Sequence, residues 1–500
     1  METRDDFTAR ENVVNPDEDI TDEPVTQRNL ENRSESGNGS FRPQVLGSLH
    51  HVATGIYAGF CGEYTSVAIP SFLADPRAQK LAQSEVAAIV STYYAGLIVG
   101  YFFGAFVAEK FSKRVFLLAT FLPMAAAWLP FCFVTNLPLM IIARLSQGTI
   151  LGARTNVSHA FVLEITDERS RNWAISSLAL AVSVGTLVTS LLGGWLRWDH
   201  IGMIASVSNL LFLPFVARVP DSALHWLRVG DERKARNSLL YYHPQAKNVE
   251  GDLEDLKSYL TIGGMDFSWK RIHQRKYAWP LFKAVLFHVF KPWAGYTIVV
   301  SYALEIFDKM HLNKLIHPST GNIIAQASDF VAQFASTFIV GIVSRRLQMG
   351  LSALVMAATH GLNGIYVFAV TKDFETHGKI NDAFLKNLTY WWPYTGLSLW
   401  LACYSIGLAN VVHLAIAEML PSKVSNFGVA LCFVVMTSNQ FLVTNTFYLI
   451  TNTVGYYGLL WIFASSCTFL ALFSFFMIGE TANKTLLELE SEHNKPTAKN

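Results

Sequence analysis

Charge is what this chain has least of. Lys, Arg, Asp and Glu together make up 15% of the 500 residues, and hydrophobic residues make up 51%. A soluble protein of this length needs far more charged surface. Charge is scarcest within about twelve apolar runs that follow one another between residues 45 and 478, each long enough to span a bilayer as a helix. Backbone groups in lipid must be satisfied within their own segment, so the runs are expected to be helical. The net charge of +1 and the lack of a basic stripe give no sign of nucleic acid. Cysteine is also scarce. Cys61, Cys132, Cys403, Cys432 and Cys467 all fall inside apolar runs, so no disulfide framework is expected. Residues 1–43 are polar and contain no apolar signal segment, which predicts a disordered tail rather than a cleaved leader. There is no P-loop, nucleophile elbow, paired catalytic carboxylates or metal-ligand spacing. The chain is therefore expected not to be an enzyme and to need no cofactor or metal.

The expected spans are 45–68, 86–107, 115–134, 138–160, 174–196, 200–218, 282–303, 323–343, 350–370, 391–413, 428–448 and 456–478. They imply a tail (1–43), a six-helix bundle (44–218), a charged linker (219–280), a second six-helix bundle (281–479) and a second tail (480–500). In the linker, residues 231–242 and 252–260 read as short amphipathic helices. With the N-terminus inside, inner loops collect roughly 19 Lys and Arg and outer loops about 8, so both termini are expected in the cytosol. Asn387-Leu388-Thr389 is then a glycosylation sequon on the outer side. The sequons at Asn32, Asn38 and Asn483 would lie in the cytosol and stay unused. Two repeated bundles suggest a carrier with its solute site near the midplane between the halves.

Short segments sharpen this reading. Gly104–Arg114 (GAFVAEKFSKR) resembles the loop signature of the major facilitator superfamily, with Ser112 at its turn glycine. Val219–Leu227 (VPDSALHWL), Ala417–Val424 (AEMLPSKV), the Glu164–Arg171 spacing and Gly479–Glu490 (GETANKTLLELE) resemble, in order, four signatures of its sugar porter family. Glu63–Ser71, Asp329–Thr337 and Phe441–Phe447 are similar to arthropod facilitated trehalose transporters. The resemblance implies an all-α major facilitator fold of two six-helix bundles with a cytosolic helical linker. It also implies a multi-pass carrier, in the plasma membrane, that moves a sugar such as trehalose or a hexose by alternating access, facilitated or coupled to protons. The partners implied are the solute, protons and the bilayer.

The departures from that family fall where it binds sugar. The Gln of the fifth span is Ala179. The Gln-Gln-x-Ser-Gly run of the seventh is Lys291-Pro292-Trp293-Ala294-Gly295, and its following Asn is Thr297; Tyr302 keeps an aromatic position. In the tenth span Asn410 replaces Pro and His413 replaces Trp. In the eleventh, Met436-Thr437 replaces Asn-Trp, with Asn439 and Gln440 nearby to supply amides from a shifted position. The candidate solute-binding residues are thus Lys291, Trp293, Thr297, Tyr302, Asn410, His413, Asn439 and Gln440. These changes keep two alternatives open: a carrier of the same fold for another small solute, such as an organic anion held by Lys291, or a non-transporting membrane sensor.

Charges inside spans are costly and call for a partner or cavity. Glu63 and Arg144 fall at similar depth and form a candidate intramembrane pair. A structural pair, a part in proton coupling and no contact at all are each compatible with the sequence. Lys291 either neutralises Asp329 or extends along water in the cavity. Glu109, Arg114, Glu164, Arg171 and Glu418 match the family's cytoplasmic gate. Gly341 and Ser425 stand where the second half has lost its acid and base, so a weaker lock on that half and a resting state open inward or occluded are expected.

Overall fold

The computed structural model describes residues 41–133, 136–244, 248–262, 273–309, 317–339, 342–378, 383, 387–388, 391–409, 411–412, 420 and 422–478. Six membrane-length spans precede the linker: Phe41–Leu73, Gln83–Lys110, Lys113–Phe133, Leu137–Ile165, Glu168–Trp195 and Trp198–Ala217. Six follow it. The seventh is Arg275–Phe290, a 3-10 turn over Lys291–Ala294, then Tyr296–Lys309. The others are Pro318–Ile339, Arg345–His377, Trp392–Cys403 extended by a π-helix over Tyr404–Ala409, Ser422–Asn445 and Phe447–Met477. No strand occurs among the described residues.

Seven of these are apolar enough to cross a membrane on length and composition alone: the second, third, fifth, sixth, ninth, eleventh and twelfth. Of the other five, the seventh and tenth are divided into shorter helices, and the fourth and eighth carry buried polar groups on inward faces. Arg144, Gln147 and Arg154 lie on the fourth span, and Asn322, Gln326, Asp329 and Gln333 on the eighth. Polar groups at membrane depth are tolerated on such inward faces, where protein rather than lipid surrounds them.

Within the first half, the second span packs on the fourth and the first on the fifth. Glycine makes these crossings close. A Cβ on Gly148 would stand 2.1 Å from the Tyr93 carbonyl oxygen and 2.9 Å from the Leu97 nitrogen. Small residues let backbones approach in this way, and dispersion between the helices holds them together. Gly148→Leu is therefore expected to part the two helices and abolish a monodisperse peak in size-exclusion chromatography; an unchanged profile would remove this crossing from the account of stability. Between the halves, the first span packs on the seventh, the second on the eleventh and the fifth on the eighth.

The linker helices are Ala223–Val229, Glu232–Tyr242 and Val249–Ile262. Gly230, with φ +86°, ends the first, a left-handed position that glycine adopts without strain. Asp231 caps the second by accepting from the Lys234 amide, and this bond with the Lys234 charge holds its carboxyl below the usual range. Within the linker Tyr242 donates to the Pro220 carbonyl (2.7 Å), and the linker docks on the first bundle where Gln44 of the first span donates to the Tyr242 carbonyl (3.2 Å). Trp279 near this end of the bundle, and Trp195 and Trp391 at the opposite end, are exposed as an interfacial aromatic belt would be.

Candidate functional site

The seventh span breaks at the Lys291–Gly295 run. Pro292 has no amide hydrogen to continue the ladder, and Gly295 takes φ +97°. The carbonyl of Ala294, freed by the break, meets Nε2 of His360 on the ninth span at 3.1 Å, so that nitrogen carries the hydrogen. The tenth span loosens into a π turn at a similar depth, and its Ile406 carbonyl accepts from Gln348 (2.7 Å) and Ser336 (3.2 Å).

Across the break, the seventh span faces the eleventh. Trp293 Nε1 donates to Asn439 Oδ1 (3.3 Å), and Gln440 Nε2 donates to Thr297 Oγ1 (3.4 Å). Asn439 also donates to the Val435 carbonyl (3.0 Å). Tyr302 donates to the Thr444 carbonyl (3.0 Å) and stacks on Phe447 with ring centroids 4.1 Å apart. Lys291 is buried in the break. The structure thus brings Trp293, Thr297, Asn439 and Gln440 into one polar seam, with Tyr302 further along as a packing residue. Asn410 and His413 lie outside the described residues.

Glu63 and Arg144 do not form the expected pair. Arg144 donates to the Cys61 carbonyl (3.0 Å) and to Gln147 Oε1 (3.1 Å), with its guanidinium over the Tyr93 ring at 4.7 Å. The first span turns through about 100° per residue, and that rotation points Glu63 toward the second bundle instead. Its Oε1 accepts from Ser190 of the fifth span (2.9 Å) and Asn322 of the eighth (2.6 Å), and its Oε2 from Gln326 (3.1 Å). Asp329 is engaged by Ser405 of the tenth span rather than by Lys291. Arg154 donates to Asn209 (3.2 Å) and lies over the Phe121 ring (4.2 Å).

Sequence reasoning passed over Asn322, Gln326 and Ser190. The signal that could have found the first two was the spacing Asn322, Gln326, Asp329, Gln333, one buried polar face of the eighth span. The cross-half bonds formed by Glu63, by Thr65 with the Ser301 carbonyl (3.4 Å), by Ser91 with Asn445 (3.1 Å) and by Gln83 with Asn452 (2.9 Å) lie toward the end away from the linker.

At the linker end, Glu164 pairs with Lys113 (2.9 Å) and accepts from Ser222 (2.6 Å), while Ser112 bonds Asp221. The base is thus Lys113, and the expected Arg114 donates instead to the Ala217 carbonyl (2.6 Å). The side chains of Glu109, Arg171 and Ser425, and residues Gly341 and Glu418, lie outside the described residues. Asn387 is exposed. No group of three His, Cys, Asp or Glu able to hold a metal occurs among the described residues.

Known proteins share this fold. The facilitated trehalose transporter Tret1 of Bombyx mori is 22% identical over 454 residues, covering 89% of this chain and 86% of the relative. That of Polypedilum vanderplanki is 23% identical, covering 89% and 87%. Among solved structures, the proton:xylose symporter XylE bound to 6-bromo-6-deoxy-D-glucose superposes with a TM-score of 0.69 at 18% identity, covering 90% of this chain and 98% of XylE. An inward-open form of XylE from E. coli gives 0.67, with 89% and 98% covered. The fold is that of the major facilitator superfamily, two six-helix bundles joined by a helical linker. The model of sugar (and other) transporters matches residues 44–493, and the chain belongs to that family.

Proposed function

We propose that this protein carries a sugar, of the trehalose or hexose class, across a membrane by alternating access. The observation that carries the reading is the seam between the seventh and eleventh spans, where an indole face, two amides and a hydroxyl come together at the break. Ring faces and paired donors and acceptors are what a sugar needs. The family match and the trehalose-transporter relatives support the same substrate class. The seam also accounts for the altered sequence: the amides lost from the family's positions are replaced by Asn439 and Gln440 from the eleventh span. Transport in the plasma membrane with the linker and both termini in the cytosol completes the reading, supported by the basic bias of the loops on the linker side. Antibody to tags at residues 20 and 495 should reach them only in permeabilised cells.

Uptake of labelled trehalose, glucose and xylose into proteoliposomes tests it. Trp293→Ala and Gln440→Ala should each lower sugar uptake about tenfold, the loss expected when a stacking face or a hydrogen bond worth ~1–3 kcal/mol is removed. Sugar uptake that rises with an acid exterior marks proton coupling, and uptake indifferent to pH marks facilitated transport. Flux of an organic anion with no sugar, or binding without flux, would replace this reading with one of its rivals.

A further inference from the structure

The polar seam leaves a second cluster unexplained. Glu63 and Asp329 are buried carboxyls at the contact of the two halves, within electrostatic range of each other. Among the described residues neither pairs with a Lys or Arg. Ser190, Asn322 and Gln326 donate to Glu63, and Ser405 donates to Asp329. A carboxylate only accepts, so the amide nitrogens of Asn322 and Gln326 turn toward Glu63. That turns their oxygens the other way. Asn322 Oδ1, Gln326 Oε1 and Asp329 Oδ2 are all buried and without a hydrogen-bond partner among the described residues. The spacing of 322, 326 and 329 sets the three orphan acceptors on one helix face. One turn further, at Gln333, the orphan is a donor, Nε2, and marks the end of the acceptor row.

A pair of stacked tyrosines lies beside the cluster. Tyr296 and Tyr404 stack at 4.3 Å with their planes 10° apart. Tyr296 lies within electrostatic range of both carboxyls and Tyr404 within range of Asp329. The buried carboxyls and the unpartnered acceptors share one electrostatic sign, and the stacked tyrosines lie beside them. A neutral polyol would need donors as well as acceptors, and an anion would be repelled. An ammonium group supplies three donors and a charge that the carboxyls and the acceptor row attract.

We propose that the face formed by Glu63, Asn322, Gln326 and Asp329, with Tyr296 and Tyr404, binds an organic ammonium, making an amine-bearing solute a preferred ligand of this carrier. The inference rests on the reading of the protein as a carrier, and it concerns a face distinct from the Trp293–Gln440 seam.

The full chain in lipid nanodiscs, at about pH 6.5 where a sugar amine is charged, should be titrated with glucosamine, N-acetylglucosamine, glucose, methylammonium and sodium. Glucosamine should bind about tenfold or more tightly than N-acetylglucosamine, and methylammonium should compete with it while sodium does not. Glu63→Gln and Asp329→Asn, close in size to the originals, should each remove most of that preference, and Asp329→Asn should leave glucose affinity within about twofold. Thermal melts of both variants should match the parent, and loss of preference in either folded variant is the expected result. Equal affinity for the charged and the neutral sugar, competition by sodium but not methylammonium, or no binding of any amine overturns the proposal. Glucose binding without amine preference leaves the sugar reading standing alone; amine binding without glucose does the reverse.

Discussion

Glu63→Ala is expected to open the face of the protein opposite the linker. A cysteine placed at Ser301 in a background without the five native cysteines should react at least about tenfold faster with a membrane-impermeant thiol reagent applied from that side. Ser301 suits the measurement because it is buried where the halves meet, with its carbonyl accepting from Thr65. Glu63 is the centre of the clasp: three donors from the fifth and eighth spans converge on its two oxygens. Hydrogen bonds to a charged group contribute ~1.5–3 kcal/mol each. Two of the three cross between halves, and water that enters on opening recovers part of their energy. A net bias of ~1.4 kcal/mol is a tenfold change in population, well within what remains. Glu63→Gln keeps an acceptor at the same place and should fall between the two. Unchanged labelling in Glu63→Ala would show that the packing of the fifth span on the eighth, rather than the clasp, keeps this face shut.

Gly295→Ala should lower the melting temperature of the purified protein and its yield in membranes, while Gly361→Ala changes neither. At Gly295 two costs add. A non-glycine residue held at φ +97° is strained by ~1–3 kcal/mol. The new Cβ would also stand 2.9 Å from Phe463 and 3.2 Å from His360 Nε2, and crowding of a packed interior costs another ~1–3 kcal/mol. His360 cannot yield freely, because it bonds the Ala294 carbonyl that the break exposes. Around Gly361, which is helical, a Cβ meets nothing within 4 Å. Stability unchanged in Gly295→Ala would mean that the break in the seventh span can close into a regular helix, and that the Trp293–Asn439 and Thr297–Gln440 contacts do not depend on it.

The number and order of the helices were legible in the chain because lipid imposes a one-dimensional rule: a run of apolar residues must satisfy its own backbone. The linker helices were legible for a similar reason, since Asp231 and the apolar spacing after it are local signals. The end signatures located Glu164, yet not which neighbouring base it meets. Lys113 and Arg114 are adjacent in sequence and point in different directions, so only the packing of the third span selects Lys113. Depth likewise matched Glu63 with Arg144, because depth follows from counting residues. Direction around the helix follows from how the first span is rotated against the fifth and eighth, and a residue count does not carry that rotation. The amides at Asn439 and Gln440 were visible as residue types. Their meeting with Trp293 and Thr297 required the break at Gly295, which sets the seventh span against the eleventh. A membrane carrier of two six-helix halves could be read from the chain, because hydropathy and spacing act locally along it. Which buried polar groups face one another depends on how the helices pack, because the hydrogen bonds that offset their burial come from helices far apart in the chain.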